Sequence, residues 1–115
     1  MAADPDCLFC KIVAGEIPST KVHEDDVIVA FRDIAPLAPT HILVAPRDHI
    51  ASAADLTDAD GLMLAALFGA LRRVAEEAGL RGYRIVTNVG AEAGQSVFHL
   101  HFHLLGGRAM NWPPG

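Results

Sequence analysis

The residues of this chain with the strongest chemical character are His99, His101 and His103, which alternate with Leu100, Phe102 and Leu104. Successive side chains of an extended strand point to opposite faces. The spacing therefore predicts three imidazoles on one face, roughly 6.5–7 Å apart, with the apolar residues entering the core. One histidine on such a strand reads as a satisfied or solvated side chain, whereas three in strict alternation point to a site. Two chemistries suit the pattern. Imidazoles at alternate strand positions can chelate a divalent cation. Alternatively, the central histidine attacks an electrophilic phosphorus while its neighbours orient it and handle protons. Just upstream, Asn88, Gly90, Gly94, Gln95 and Ser96 supply amides, a hydroxyl and glycine-freed backbone N–H groups. That set suits a phosphate or oxyanion better than a cation, although without the histidines it would read as an ordinary glycine hairpin.

A second chemical cluster is Cys7-Leu8-Phe9-Cys10. Its spacing admits a redox pair, half of a zinc site, or two small hydrophobes on a helix. A tetrahedral zinc would need two more ligands.

The elements that must position these residues follow from periodicity and turn chemistry. Cys7 to Ala14 reads as a short helix closed by Gly15. Lys21 to Glu24 and Val27 to Arg32 read as strands joined through Asp25 and Asp26, and His41 to Ala45 as a strand stopped by Pro46. Thr57 with Asp60 forms a capping-box pattern ahead of Leu64, Leu67, Leu71, Val74 and Ala78 at helical spacing, and Gly79 ends that helix. Leu62, Met63, Ala66 and Phe68 make its first turns apolar on the other faces as well, which calls for either a second copy of the chain or a loop folded across it. Tyr83 to Val89 and Val97 to Leu105 are the last two strands. Short connections and one long helix predict an α+β fold on a mainly antiparallel sheet of about five strands, with a short N-terminal helix.

Composition limits the functions open to this arrangement. With 115 residues, 51% of them hydrophobic and 20% charged, the chain is expected to form one domain over 1–115 with a full core. Nine basic against fourteen acidic residues, a net charge of -5, weigh against nucleic acid as a polyanionic partner and leave a small nucleotide open. The apolar run Gly61 to Leu71 falls short of the roughly 18–20 residues a membrane-spanning helix needs, so no membrane partner is expected. Met1 to Asp6 lacks a basic region followed by an apolar one, and two cysteines suit a reducing compartment, which together predict a cytoplasmic protein.

The histidine alternation, with Phe9 to Pro18, Phe31-Arg32-Asp33-Ile34, Pro39-Thr40-His41, Pro46 to Ile50, Gly94-Gln95-Ser96, Gly106-Gly107-Arg108 and Trp112-Pro113-Pro114-Gly115, resembles the histidine-triad (HIT) nucleotide hydrolases over nearly the whole chain. The ending is similar to the histidine-triad nucleotide-binding (Hint-like) branch, which acts on adenosine phosphoramidates. The resemblance implies His101 as nucleophile in a covalent nucleotidyl-histidine intermediate, with the His99 carbonyl fixing its tautomer. It implies contacts of His103 and Ser96 with the α-phosphate and leaving group, Asn88 and Gln95 lining the phosphate pocket, and His41 supporting the triad. It further implies that Asp33 holds the ribose hydroxyls, and that Leu8, Phe9, Ile17, Phe31 and Ile34 sandwich the base; on pattern alone Phe9, Phe31 and Ile34 would be plain core. Members that keep the Cys-x-x-Cys imply a structural zinc on Cys7, Cys10, His49 and His99, with no cofactor needed for catalysis. A homodimer is implied too, with Trp112 in a tail that reaches the partner's active site. The expected activity is that of a purine nucleoside phosphoramidase. The alternatives are a diadenosine polyphosphate hydrolase and a nucleotide-binding scaffold whose hydrolysis is incidental.

Overall fold

The structure, a computed structural model, describes residues 3–115. The expectation of no leader segment therefore lies partly outside the described residues, at Met1 and Ala2. Five strands form one sheet: β1 (Lys21–Glu24), β2 (Ile28–Arg32), β3 (Thr40–Pro46), β4 (Tyr83–Val86) and β5 (Phe102–Gly106). They lie in the order β1-β2-β3-β5-β4 and every pair is antiparallel. The α+β expectation is met. Asp25 makes the first hairpin turn, its Oδ1 accepting the Val27 and Ile28 amides at 2.8 and 2.7 Å.

The central strands are buried on both faces, which is why they read as continuous apolar runs. On one face Ile28, Ala30, Ile42 and Val44 pack with Leu100, Phe102 and Leu104 beneath the long helix α2 (Gly61–Glu77), which contributes Leu67, Ala70, Leu71, Val74 and Ala75. On the other, Val29, Phe31, Leu43 and Ala45 pack against Cys7, Phe9, Cys10 and Ile12 of the short helix α1 (Leu8–Val13) and its cap. The functional candidates lie on this second face.

The predicted capping box forms, but it caps a 3₁₀ turn (Asp58–Asp60) that leads into helix α2 at Gly61. The Asp60 carboxylate accepts the Thr57 amide at 2.8 Å and the Thr57 hydroxyl accepts the Ala59 amide at 3.2 Å, completing a capping box over a 3₁₀ turn. Gly79, at φ +71°, follows the last turn. Leu62, 89% exposed, and Phe68, 48% exposed, stay on the outer face. Among the described residues no helix is long and apolar enough to cross a membrane.

The last two strands are shorter than expected. β4 ends at Val86 rather than Val89, and β5 starts at Phe102 rather than Val97. Gly90 and Gly94, at φ +86° and +98°, turn the chain out of the sheet, and the Thr87 hydroxyl donates to the His101 carbonyl at 2.8 Å where a ladder amide would otherwise bond. Only His103 of the three histidines thus lies in the regular ladder, yet facing still alternates, because Leu100 joins the core beneath α2 while His99 faces α1.

Candidate functional site

Backbone groups assign the proton on each imidazole of the site. The ring of His101 donates from Nδ1 to the His99 carbonyl at 2.6 Å, which leaves its Nε2 lone pair free. The Leu37 amide donates to His41 Nδ1 at 3.1 Å, so the proton of neutral His41 sits on Nε2. From there it is donated to His103 Nδ1 at 2.9 Å, which in turn puts the His103 proton on Nε2. Two adjacent rings, with centroids 5.0 Å apart, therefore present opposite characters: a bare nitrogen on His101 and an N–H donor on His103. The Asp33 carboxylate lies 3.4 Å from His41 Nε2.

Burial dominates the electrostatics. It holds His41 and His101 below the ordinary histidine value against the opposing pull of Asp33. His103, buried and then opposed by the imidazoles of His101 and His41, is pushed down to about 4. The site rests with neutral rings near pH 7, as a nitrogen nucleophile requires.

Phe9 anchors the arrangement from α1. Its ring packs edge-on against Phe31, His99 and His101 at centroid distances of 5.3, 6.0 and 4.8 Å. A cavity of about 390 Å³ opens beside it, lined by Leu8, Phe9, Ile17, Phe31, Asp33, Ile34, Ser96, His101 and His103. Nine of the residues singled out in the sequence are brought together here, including Phe9 and Phe31, which are buried, and Ile34, which stands 99% exposed at the rim.

Three others lie elsewhere. Gln95 is 5% exposed and its amide is spent on the backbone: Nε2 donates to the carbonyls of Ala51 and Val97, and Oε1 accepts the Gly90 amide. It staples the loop that presents Ser96 instead of offering its amide to the cavity. Asn88 follows β4, two residues past the Val86 that pairs with His103, and lines a neighbouring cavity that His103 also lines. Trp112 is 82% exposed beneath the Arg84 guanidinium and lines no part of the cavity beside Phe9.

Sequence reasoning missed Thr87, Leu37 and Pro46. The first holds the His101 carbonyl, and the other two fix tautomers through backbone atoms that carry no side-chain signal.

His99 does not join the other two rings around a shared ion. Its Nε2 donates to the Pro46 carbonyl at 2.8 Å, which turns the Nδ1 lone pair toward the thiols. Cys7 Sγ and Cys10 Sγ lie 3.4 and 3.5 Å from that nitrogen, and His49 Nδ1 lies 3.4 Å from Cys10 Sγ. Zn–S bonds near 2.3 Å and Zn–N bonds near 2.05 Å, set at tetrahedral angles, give an S···N edge of roughly 3.6 Å. The four donors therefore have the spacing, chemistry and burial of a closed zinc site. Asp33, His41 and His103 also cluster, but the Leu37 amide forces a proton onto the His41 nitrogen that faces the other two, so this group is a hydrogen-bonded relay and not a ligand set.

Residues 14–110 match the model of the HIT domain. The chain is 49% identical over 111 residues to an uncharacterised HIT-like protein of Synechococcus elongatus, covering 96% of this chain and 97% of that one. It is 49% identical over 115 residues to a 14 kDa zinc-binding protein of Zea mays, covering 97% and 90% of the two chains. The crystal structure of a HIT family hydrolase from Legionella pneumophila superimposes with a TM-score of 0.94 at 54% identity, covering 96% of this chain and 100% of that one.

Proposed function

Because the chain belongs to the HIT domain family, we propose that it hydrolyses adenosine and other purine nucleoside 5′-phosphoramidates through a nucleotidyl-histidine intermediate on His101. The observation that carries the proposal is the 2.6 Å hydrogen bond from His101 Nδ1 to the His99 carbonyl, which leaves Nε2 unprotonated on a ring that lines the cavity. The purine inserts between the apolar side chains of Leu8, Phe9, Ile17, Phe31 and Ile34, Asp33 takes the ribose hydroxyls, and Ser96 meets the α-phosphate. His101 Nε2 then attacks the α-phosphorus: the N–P bond forms, the P–N bond to the leaving amine breaks, and the His99 carbonyl stabilises the resulting cationic ring.

His103 directs its Nε2–H toward the departing nitrogen. An α-phosphate bound beside it adds the negative charge that the empty site lacks, which favours a proton on the His41–His103 pair for delivery to the amine. Water next attacks phosphorus and gives a proton back to the His41–His103 pair as the N–P bond to His101 breaks, releasing the 5′-nucleotide and restoring the imidazole.

Cys7, Cys10, His49 and His99 would hold a zinc that ties α1 to the segment before β5. Its contribution there is to stability, and no step of the reaction passes through it. The exposed apolar residues Leu62 and Phe68 on α2 support self-association as a homodimer, and the free thiols suit the cytoplasm.

A side-by-side rate assay with an aminoacyl adenosine phosphoramidate and a diadenosine polyphosphate tests the activity. Faster phosphoramidate cleavage is expected. Preference for the dinucleotide makes the protein a polyphosphate hydrolase, and turnover of neither makes it a binding module.

The acid limb of the kcat/KM profile follows from the depressed imidazoles. A lowered pKa keeps the ring neutral to lower pH, so kcat/KM should hold through pH 6.5 and fall only below it. A pH–rate profile with its acid midpoint at or above 6.5 contradicts this assignment.

A further inference from the structure

The strand register places a second set of functional side chains one row beyond His103. In the first row Leu43, His103 and Val86 are cross-strand partners; in the next, His41, Leu105 and Arg84 are. Same-face rows lie roughly 6.5–7 Å apart along a strand. Arg84 therefore faces the same side of the sheet as His103, on the side away from His101. Arg108 reaches this position from the chain that follows β5, its Nε and Nη2 donating to the Leu37 carbonyl at 3.2 and 3.0 Å and its Nη1 to that of Ala109 at 3.0 Å. Together with Asn88 and His41, the two arginines line a cavity of about 360 Å³ that meets the nucleotide cavity at His103.

The charge of this cavity is unusual for the chain that contains it. The protein carries a net charge of -5, yet no aspartate or glutamate lines this space. Among the described residues neither Arg84 nor Arg108 lies within 4.0 Å of a carboxylate, whereas Lys21, Arg47 and Arg72 each do. Arg84 spends one donor on the Asn111 carbonyl at 2.9 Å, and Arg108 spends three on carbonyls. A guanidinium has five N–H donors, so six remain between the two side chains. Backbone carbonyls orient these cations without neutralising them, an arrangement suited to receiving an anion.

We propose that this cavity is the leaving-group subsite and that it selects amines bearing a carboxylate, with Arg84 and Arg108 as specificity-determining residues. This inference rests on the reading of His101 as nucleophile toward a phosphoramidate. In an in-line displacement the amine departs away from His101, toward His103 and the row beyond it. A β-alanine leaving group fits the span, since its carboxylate oxygens lie about 4–5 Å from its nitrogen at ordinary bond lengths and a hydrogen bond to a guanidinium adds about 3 Å.

A matched pair of substrates tests it: adenosine 5′-phosphoramidates of β-alanine and of β-alaninamide, which differ in the negative charge alone. The wild-type protein should show kcat/KM about tenfold higher for the carboxylate. In the double variant Arg84→Met/Arg108→Met that ratio should fall to one or below, while Arg84→Lys/Arg108→Lys should keep part of it. A wild-type ratio of one or less, or a ratio that the methionine variants leave unchanged, overturns the proposal. If neither substrate is cleaved, the reading of His101 fails, and the subsite is decided separately by titrating ¹⁵N-labelled protein with N-acetyl-β-alanine. Saturable shifts at Asn88, Asn111 and the two guanidinium groups, lost in the methionine variant, support an anion site; no shifts there overturn it.

Discussion

Substitution of His101 by glycine or asparagine is expected to lower turnover by about 10⁴-fold or more, the order lost when the nucleophile of a covalent catalyst is removed. Nucleotide affinity should change little by comparison, because the apolar walls of the cavity and Asp33 belong to other elements. His101 makes its own hydrogen bond to a backbone carbonyl, and that carbonyl, freed, can bond to water. The loss should therefore appear in kcat, with the Kd for AMP within a few fold of wild type. Wild-type protein quenched during turnover of an α-labelled substrate should carry label on His101, and the variants should carry none. Turnover near the wild-type rate in either variant, or label on another residue, removes His101 from this role.

Much of this site was legible because the relevant physics is local. Alternation over residues 99–105 assigns opposite faces whether or not a ladder forms, so the facing survived although β5 begins only at Phe102. Thr57 and Asp60 form their box within a single turn, and the spacing announces it. What was not legible depends on who occupies each hydrogen-bonding atom. Gln95 and Asn88 are both amides beside the glycine loop, but Gln95 is consumed by three backbone bonds, while Asn88 lines a cavity that His103 also lines. The tautomers of His41, His99 and His101 are set by a peptide N–H and two carbonyls, groups every residue possesses. The Cys-x-x-Cys spacing left three chemistries open, and resolving them required contacts across 39 and 92 residues, to His49 and His99. The pairing of Arg84 with Arg108 around one cavity likewise depends on register and on the path of the tail.

The four-donor cluster leads to the second large effect: chelation of zinc should cost far more stability than activity. Cys7 and Cys10 sit on α1 and its cap, His49 follows β3, and His99 precedes β5, so the ion would join three segments distant in sequence. A ligand bound only by the folded state at about 1,000 times its Kd stabilises by about 4 kcal/mol. For a domain of this size each kcal/mol moves Tm by about 4 °C, giving a fall on the order of 15 °C on metal removal. The initial rate at a temperature where the metal-free protein stays folded should change by no more than about twofold. His101 and His103 are held there by bonds that do not involve the ion: Thr87 to the His101 carbonyl, His101 to the His99 carbonyl, and Leu37 through His41 to His103. Acid should release the metal before it unfolds the chain, since burial already raises the Cys10 thiol and protons compete with zinc for both sulfurs. Paired melting curves and initial rates, with and without chelator, measure the two effects on one preparation. Equal proportional losses would make the cluster part of the catalytic apparatus, and metal analysis finding no zinc in protein purified without chelator would remove the ion altogether.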